Sequence, residues 1–107
     1  MDLLSRCSIE FDNIRGTRNR LSNLAMLVAT RPRTPRVIGL YTELRTLDGI
    51  LVERARRLAN GMEELEATGQ GPEDLELNVE LVAHLERRIA EMGAQLAREL
   101  DPDETMA

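Results

Sequence analysis

Between Val37 and Leu65 the sequence reads VIGLYTELRTLDGILVERARRLANGMEEL, with an apolar residue at every seventh position. The repeating residues are Val37, Leu44, Leu51, Leu58 and Leu65. Further apolar side chains follow three or four positions after most of them, and this spacing places side chains on one face of a helix. Because the pattern persists over the whole stretch, it predicts a long helix that packs against other helices along one seam.

Two other segments carry the same seven-residue repeat. The earlier segment repeats Cys7, Ile14, Leu21 and Val28, and the later one repeats Leu75, Val82, Ile89 and Leu96. A joint with two prolines separates the first segment from the second: Pro32 disfavours helix at the residue before it, and Thr34 followed by Pro35 is typical of a helix start. The second joint contains Gly69, which suits the left-handed residue after a helix. We therefore expect helices over about residues 8–29, 35–68 and 72–100, with the first helix beginning near Ser8 or earlier.

These joints are short, so neighbouring helices must run antiparallel. The predicted fold is an all-α, antiparallel three-helix bundle of coiled-coil-like helices, with residues 1–100 as a single domain. Asp101-Pro102 should end the last helix and leave residues 101–107 as a disordered tail. Gly39, Gly49 and Gly61 interrupt the second helix at a cost of nearly 1 kcal/mol each, and we expect them to mark close helix contacts.

Charge is distributed unevenly along the chain, whose net charge is −5. Residues 1–36 carry seven arginines against three acidic residues, for +4, and residues 37–107 carry seven arginines against sixteen acidic residues, for −9. Every basic side chain is arginine, which indicates a GC-rich bacterial genome. A segregated charge of this kind either steers a charged partner or lets the helices of the bundle attract one another.

The sequence also predicts where the protein resides. Cys7 is the only cysteine, which excludes an intramolecular disulfide and favours a reducing compartment. The longest uncharged stretch, Leu21 to Thr30, is far shorter than the roughly 20 residues that span a bilayer, and no leader pattern begins the chain. We expect a cytoplasmic protein without a transmembrane segment.

Apolar residues occur beyond the three seams. They are Met26 and Leu27 in the first helix, Ile38, Ile50 and Val52 in the second, and Leu77 and Leu81 in the third. One stripe per helix suffices for a solitary bundle. The surplus therefore predicts a second buried surface, either in a homodimer that forms a larger bundle or in a groove for the amphipathic helix of a partner. The alternative is a broad central stripe with scattered exposed apolar side chains.

Six arginines form a basic end: Arg15, Arg18, Arg20, Arg31, Arg33 and Arg36. They could bind nucleic-acid phosphates, dock an acidic protein surface, or form a solvated face with intrahelical pairs such as Asp12 with Arg15. The acidic total charge and the presence of only two aromatic residues argue against nucleic acid.

Patterns of catalytic or metal-binding residues are not found. His84 should lie on the outer face of the third helix. Glu80 lies four residues before it, but the sequence has no second Glu-x-x-His segment on another helix, which a di-iron bundle requires. The segment from Leu44 to Arg57 is similar to the opening helix of the small helical chorismate mutases, which bind a dianion with arginines and a lysine. Its spacing departs from theirs and the chain has no lysine, so no residue role is transferred. We predict no catalytic residue, no cofactor and no metal.

The sequence as a whole favours a non-enzymatic protein–protein interaction module, such as an adaptor, an assembly factor or a secretion-chaperone-like protein, that acts by helix-to-helix recognition. Two alternatives stay open. One is a nucleic-acid-binding regulator that uses the arginine-rich residues 15–36, and the other is a small helical enzyme with an arginine-lined anion pocket.

Overall fold

The computed structural model describes residues 1–100, which form three helices: α1 (Leu3–Thr30), α2 (Pro35–Thr68) and α3 (Leu75–Leu100). Ion pairs between Arg6 and Glu76 and between Arg36 and Glu99 show that α2 runs antiparallel to α1 and α3. The bundle measures 52 × 25 × 18 Å. The predicted all-α three-helix bundle is confirmed, and the predicted disordered tail at 101–107 lies outside the described residues.

The ends of α2 lie where the sequence predicts them. The Thr34 hydroxyl accepts a hydrogen bond from the Val37 backbone N–H at 3.2 Å, and Pro35 occupies the first helical position. At the other end Gly69 has φ of +77°, and its N–H donates to the Leu65 carbonyl at 2.9 Å. Both ends of α2 therefore have hydrogen-bond partners that only these residue types supply easily.

α1 starts at the early end of its prediction, and α3 starts later than predicted. α1 begins at Leu3 rather than near residue 8, because the Asp2 carboxylate accepts a hydrogen bond from the Ser5 N–H at 2.7 Å. This bond caps the helix and lowers the pKa of Asp2. α3 begins at Leu75 rather than at residue 72, because a turn precedes it in which the Leu75 N–H donates to the Pro72 carbonyl at 3.1 Å.

The core consists mainly of the predicted seams. Its fully buried side chains include Leu51, Leu58, Leu75, Val82 and Leu96. Cys7 is buried in the first seam as predicted, and desolvation raises the pKa of its thiol. Two polar residues are buried as well: Thr17 in α1 and Asn78 in α3. The Asn78 side chain donates to the Arg54 carbonyl at 3.1 Å, and its own oxygen has no hydrogen-bond partner in the described part of the chain.

Only one of the three glycines within α2 marks a close helix contact. A Cβ atom at Gly61 would lie 2.6 Å from a methyl group of Leu75, and one at Gly71 would lie 2.8 Å from the other methyl group. Leu75 is thus wedged between two residues that lack a Cβ. The prediction is wrong for Gly39 and Gly49, because a Cβ at either position would meet nothing within 4 Å.

Candidate functional site

Two adjoining concavities form a groove between the second half of α1 and the first half of α2. Their volumes are about 330 and 300 Å³, and both are lined by Ala25, Tyr41 and Arg45. We call this surface the α1–α2 groove. Its length along α2, from Ile38 to Asp48, corresponds to about 15 Å at 1.5 Å per residue.

The floor of the α1–α2 groove is apolar. Val28 and Leu44 belong to the buried core and line it from α1 and α2 respectively. Ile38, on its α2 side, is 51% exposed. Met26 is 70% exposed and follows the groove residue Ser22 by four positions, so it lies on the same side of α1. The groove therefore presents apolar side chains to solvent.

The polar groups of the α1–α2 groove carry a net positive charge. The Arg18 guanidinium donates to both oxygens of Asp48, at 3.0 and 3.3 Å. Arg33 and Arg45 also line the groove, and neither forms an ion pair with any residue that the structure describes. Three guanidinium groups thus face one carboxylate, and that carboxylate is already bonded.

The six predicted basic residues do not lie on one surface. Arg18 and Arg33 line the α1–α2 groove, and Arg15 precedes Arg18 by three positions on the same side of α1. Arg20 lies on the α3 side of α1 and donates to the Thr17 hydroxyl at 3.3 Å. Arg36 donates to Glu99 at 2.6 Å across α2 and α3.

Arg31, in the joint between α1 and α2, is exposed. The predicted pair between Asp12 and Arg15 is not formed among the ion pairs of residues 1–100. The basic end of the sequence is therefore divided among separate faces, of which the α1–α2 groove carries the largest share.

The predicted apolar surplus is likewise divided between two faces. Ile38 lines the α1–α2 groove, and Val52, which is half-buried, follows Asp48 by four positions on that same side of α2. The other three residues, Ile50, Leu77 and Leu81, have helical positions at the outer edge where α2 meets α3.

The position of this second face follows from helical spacing. In α2, Ile50 precedes Gly61 by eleven residues, or about three turns, and Gly61 contacts α3. In α3, Leu81 follows Asn78 by three residues, and Asn78 contacts α2. Ile50 is 43% exposed, Leu77 is 56% exposed and Leu81 is half-buried. We call Ile50, Leu77 and Leu81 the α2–α3 apolar edge.

A further groove runs between α1 and α3. Its apolar part, about 420 Å³, is lined by Leu24 and Leu27 from α1 and by Gly93 and Ala94 from α3. A smaller polar concavity of about 260 Å³ adjoins it. Asp12, Arg20, Glu86 and Arg87 contribute the charged groups there.

A carboxyl pair bridges α1 and α3 near this polar concavity. Burial raises the pKa of Glu86 to about 8. A hydrogen bond with Glu10 and the negative charge of Glu10 add to this increase, whereas the positive charge of Arg20 opposes it. Among residues 1–100, one oxygen of each carboxyl group is buried without a hydrogen-bond partner. Because this pKa lies above 7, the Glu86 carboxyl group is mostly protonated at neutral pH.

Sequence reasoning missed the contributions of Arg45 and of this carboxyl pair. Ile38, Tyr41 and Arg45 are spaced by three and four residues, which places them on one helix face. Glu86 lies four residues after Val82 and three before Ile89, so an acidic residue stands at the spacing of the core seam. Both signals are present in the sequence.

His84 and Cys7 lie apart from the α1–α2 groove. His84 is exposed on α3, and Cys7 is buried near the beginning of α1. Within residues 1–100 no three His, Cys, Asp or Glu side chains are grouped closely enough to hold a metal ion.

None of the helices in the described part of the chain is long and apolar enough to cross a membrane. Comparisons with protein-family models, with curated proteins and with solved structures find no match for this chain.

Proposed function

We propose that this chain is a non-enzymatic protein–protein interaction module, an adaptor, assembly factor or secretion-chaperone-like protein, that acts by helix-to-helix recognition. The observation that carries the proposal is the exposure of Ile38, Ile50 and Leu77 on two faces of the bundle, one of them grooved. Apolar side chains that are exposed side by side on one face typically mark a surface that another molecule covers. A partner helix that lies between two helices of the bundle would bury them and complete a four-helix arrangement.

The two faces suit different partners. The α1–α2 groove is concave and fits a single helix of a partner protein. The α2–α3 apolar edge lies along the outside of two packed helices and suits self-association, in which two copies form a larger bundle. We propose a homodimer through this edge. A reducing bacterial cytoplasm fits the single buried thiol and the all-arginine composition.

Binding rather than catalysis is supported by the groups that the α1–α2 groove contains. Its one carboxylate, Asp48, is bonded to Arg18. The Thr42 hydroxyl already donates to the Ile38 carbonyl at 2.8 Å. A general base or nucleophile needs a free proton acceptor beside a reacting group, and these two residues are occupied.

Affinity purification from the native cell, followed by mass spectrometry, tests the proposal. Four tagged proteins are compared: the wild type, Ile38→Glu, Ile50→Glu, and His84→Glu as a control on the outer face of α3. We expect a partner in stoichiometric amount with the wild type and the control, and its loss with Ile38→Glu. Circular dichroism and thermal melts must show that all four proteins are folded.

Light scattering coupled to gel filtration tests the self-association. We expect a dimer for the wild type, Ile38→Glu and His84→Glu, and a monomer for Ile50→Glu. A wild type that is monomeric at tens of micromolar and that recovers the same proteins as Ile38→Glu would overturn the proposed function. Salt-dependent retention on duplex DNA would support the nucleic-acid alternative instead.

A further inference from the structure

We infer that the α1–α2 groove binds an acidic amphipathic helix: a partner segment with a leucine-rich face and with glutamates or aspartates on both sides of that face. This inference rests on the proposed function and adds the chemistry of the partner. It follows from the combination of an apolar floor with arginines that have no bonded carboxylate.

The floor determines the apolar face of the partner. Val28 and Leu44 are core residues whose outer surfaces line the groove, and Ile38 stands half-exposed beside them. A groove of about 15 Å accommodates about ten residues of helix, or nearly three turns. Apolar residues of the partner at positions i, i+3 or i+4, and i+7 would contact this floor.

The arginines determine the charge of the partner. Arg33 and Arg45 lie in the groove without an ion-pair partner among residues 1–100, whereas Arg18 is bonded to Asp48. A helix that covers the groove excludes water, which strengthens the attraction between a guanidinium and a carboxylate. A basic helix in the same place would leave like charges facing each other, and this repulsion supplies specificity.

The groove also contrasts with the rest of the molecule. The chain as a whole has a net charge of −5, so it does not attract an acidic partner from a distance. The selection must therefore act at contact, through the two unpaired arginines. We expect mainly slower dissociation of acidic helices, with little increase in their association rate.

A peptide library measures this charge preference directly. Displayed 18-residue peptides carry leucine at fixed positions i, i+3, i+4 and i+7 in each two turns, with the flanking positions randomised among Glu, Lys and Gln. Selection on the immobilised wild-type protein should enrich Glu over Lys at least threefold at the flanking positions. A selected Glu-rich peptide should bind at least tenfold more weakly to the double variant Arg33→Glu/Arg45→Glu.

The control variant places the same charge change on another face. Arg57→Glu/Arg88→Glu alters two exposed arginines on the α2–α3 side of the bundle, and it should bind the selected peptide within twofold of the wild type. Circular dichroism confirms that both variants are folded. Equal enrichment of Glu and Lys, no enriched peptide, or equal binding to both variants would overturn the inference.

Other occupants of the groove give distinct results. Displacement of the peptide by a 25-base-pair duplex or by phosphatidylglycerol vesicles, abolished in the Arg33→Glu/Arg45→Glu variant, would assign the groove to nucleic acid or lipid. A wild-type dimer that this variant converts to a monomer would assign it to a second copy. A cellular partner that is lost with Ile38→Glu but retained with Arg33→Glu/Arg45→Glu would overturn the acidic helix and leave the proposed function intact.

Discussion

The interface between α2 and α3 and the two sides of α1 are built differently. Between α2 and α3, Leu75 fills the space left by Gly61 and Gly71, and Asn78 reaches across to the Arg54 carbonyl. Along α1, every groove described above has this helix as one wall. The difference indicates that α2 and α3 form a closely packed pair, which we call the template, and that α1 completes the core while leaving concave edges along it.

The sequence explains why α1 packs less closely. The residues of α1 that approach α3 include Glu10 and Thr17, neither of which interdigitates as a large apolar side chain does. Glu10 faces another carboxyl group, Glu86. In α3, by contrast, apolar residues form one sharp stripe, so this helix fits closely against α2.

The largest expected effect tests the template itself. Leu51 is fully buried at the centre of α2, whereas its neighbour Ile50 is 43% exposed. Leu51→Glu would bury a carboxylate without a partner, so we expect it to lower the free energy of unfolding by several kcal/mol and to melt the fold. Ile50→Glu should change it by less than about 1 kcal/mol, because surface substitutions cost little.

Thermal melts followed by circular dichroism measure both variants. An Ile50→Glu protein that unfolds while Leu51→Glu stays folded would show that the wrong face of α2 has been assigned to the core. The inferred difference in packing between the α2–α3 interface and the sides of α1 would then not hold.

The next effect concerns the carboxyl pair between α1 and α3. The pKa of Glu86 is about 8 in the folded protein, against an ordinary value of 4.5. Between these values the folded state holds a proton that the unfolded chain releases, so stability falls as pH rises from about 4.5 to 8. Because Glu86 is only partly buried, solvent screening should limit this loss to about 1–2 kcal/mol.

Glu86→Gln should therefore be more stable than the wild type at pH 8 by that amount, and its advantage should shrink towards pH 5. Glu91→Gln, at an exposed position of the same helix, is the control and should not change the pH profile. Urea titrations at pH 5, 6.5 and 8 provide the measurement. A wild type whose stability is the same at pH 5 and 8 would contradict the raised pKa of Glu86.

A smaller effect distinguishes glycines in the template from glycines in solvent. Gly39→Ala and Gly49→Ala should each stabilise the protein by about 0.5–1 kcal/mol, because alanine favours helix and both sites have open space. Gly61→Ala gains the same propensity but forces Leu75 to move, and we expect a net loss of about 1 kcal/mol.

Urea denaturation of the three alanine variants gives these signs directly. If Gly61→Ala were as stabilising as the other two, Leu75 would have room to move. The contact between α2 and α3 would then be no tighter than those of α1.

Heptad spacing and joint chemistry predicted the helices and most of the core, since both depend on residues close in sequence. The start of α1 was also readable, because Asp2 is a typical N-cap residue. The α1–α2 groove could not be predicted in this way. The groove depends on the placement of Arg33 and Tyr41 beside Ala25 and on the ion pair between Asp48 and Arg18. These residues are distant in sequence, so their pairing follows only from how the helices pack.

The smallest effect links the stability of α1 to the binding proposed for its groove. Asp48→Asn removes the charge that Arg18 binds, and because the pair is partly exposed we expect a loss of only about 0.5 kcal/mol. The same change leaves three guanidinium groups in the groove without a carboxylate, so an acidic peptide should bind about two- to fivefold more tightly.

Glu99→Gln is the matched control, since it breaks the Arg36–Glu99 pair across α2 and α3. It should cost similar stability and leave the affinity unchanged, as measured by fluorescence anisotropy with the Glu-rich peptide. If Asp48→Asn weakened binding, Asp48 would serve to hold Arg18 in position for the partner, and the net charge of the groove would not be what selects an acidic helix.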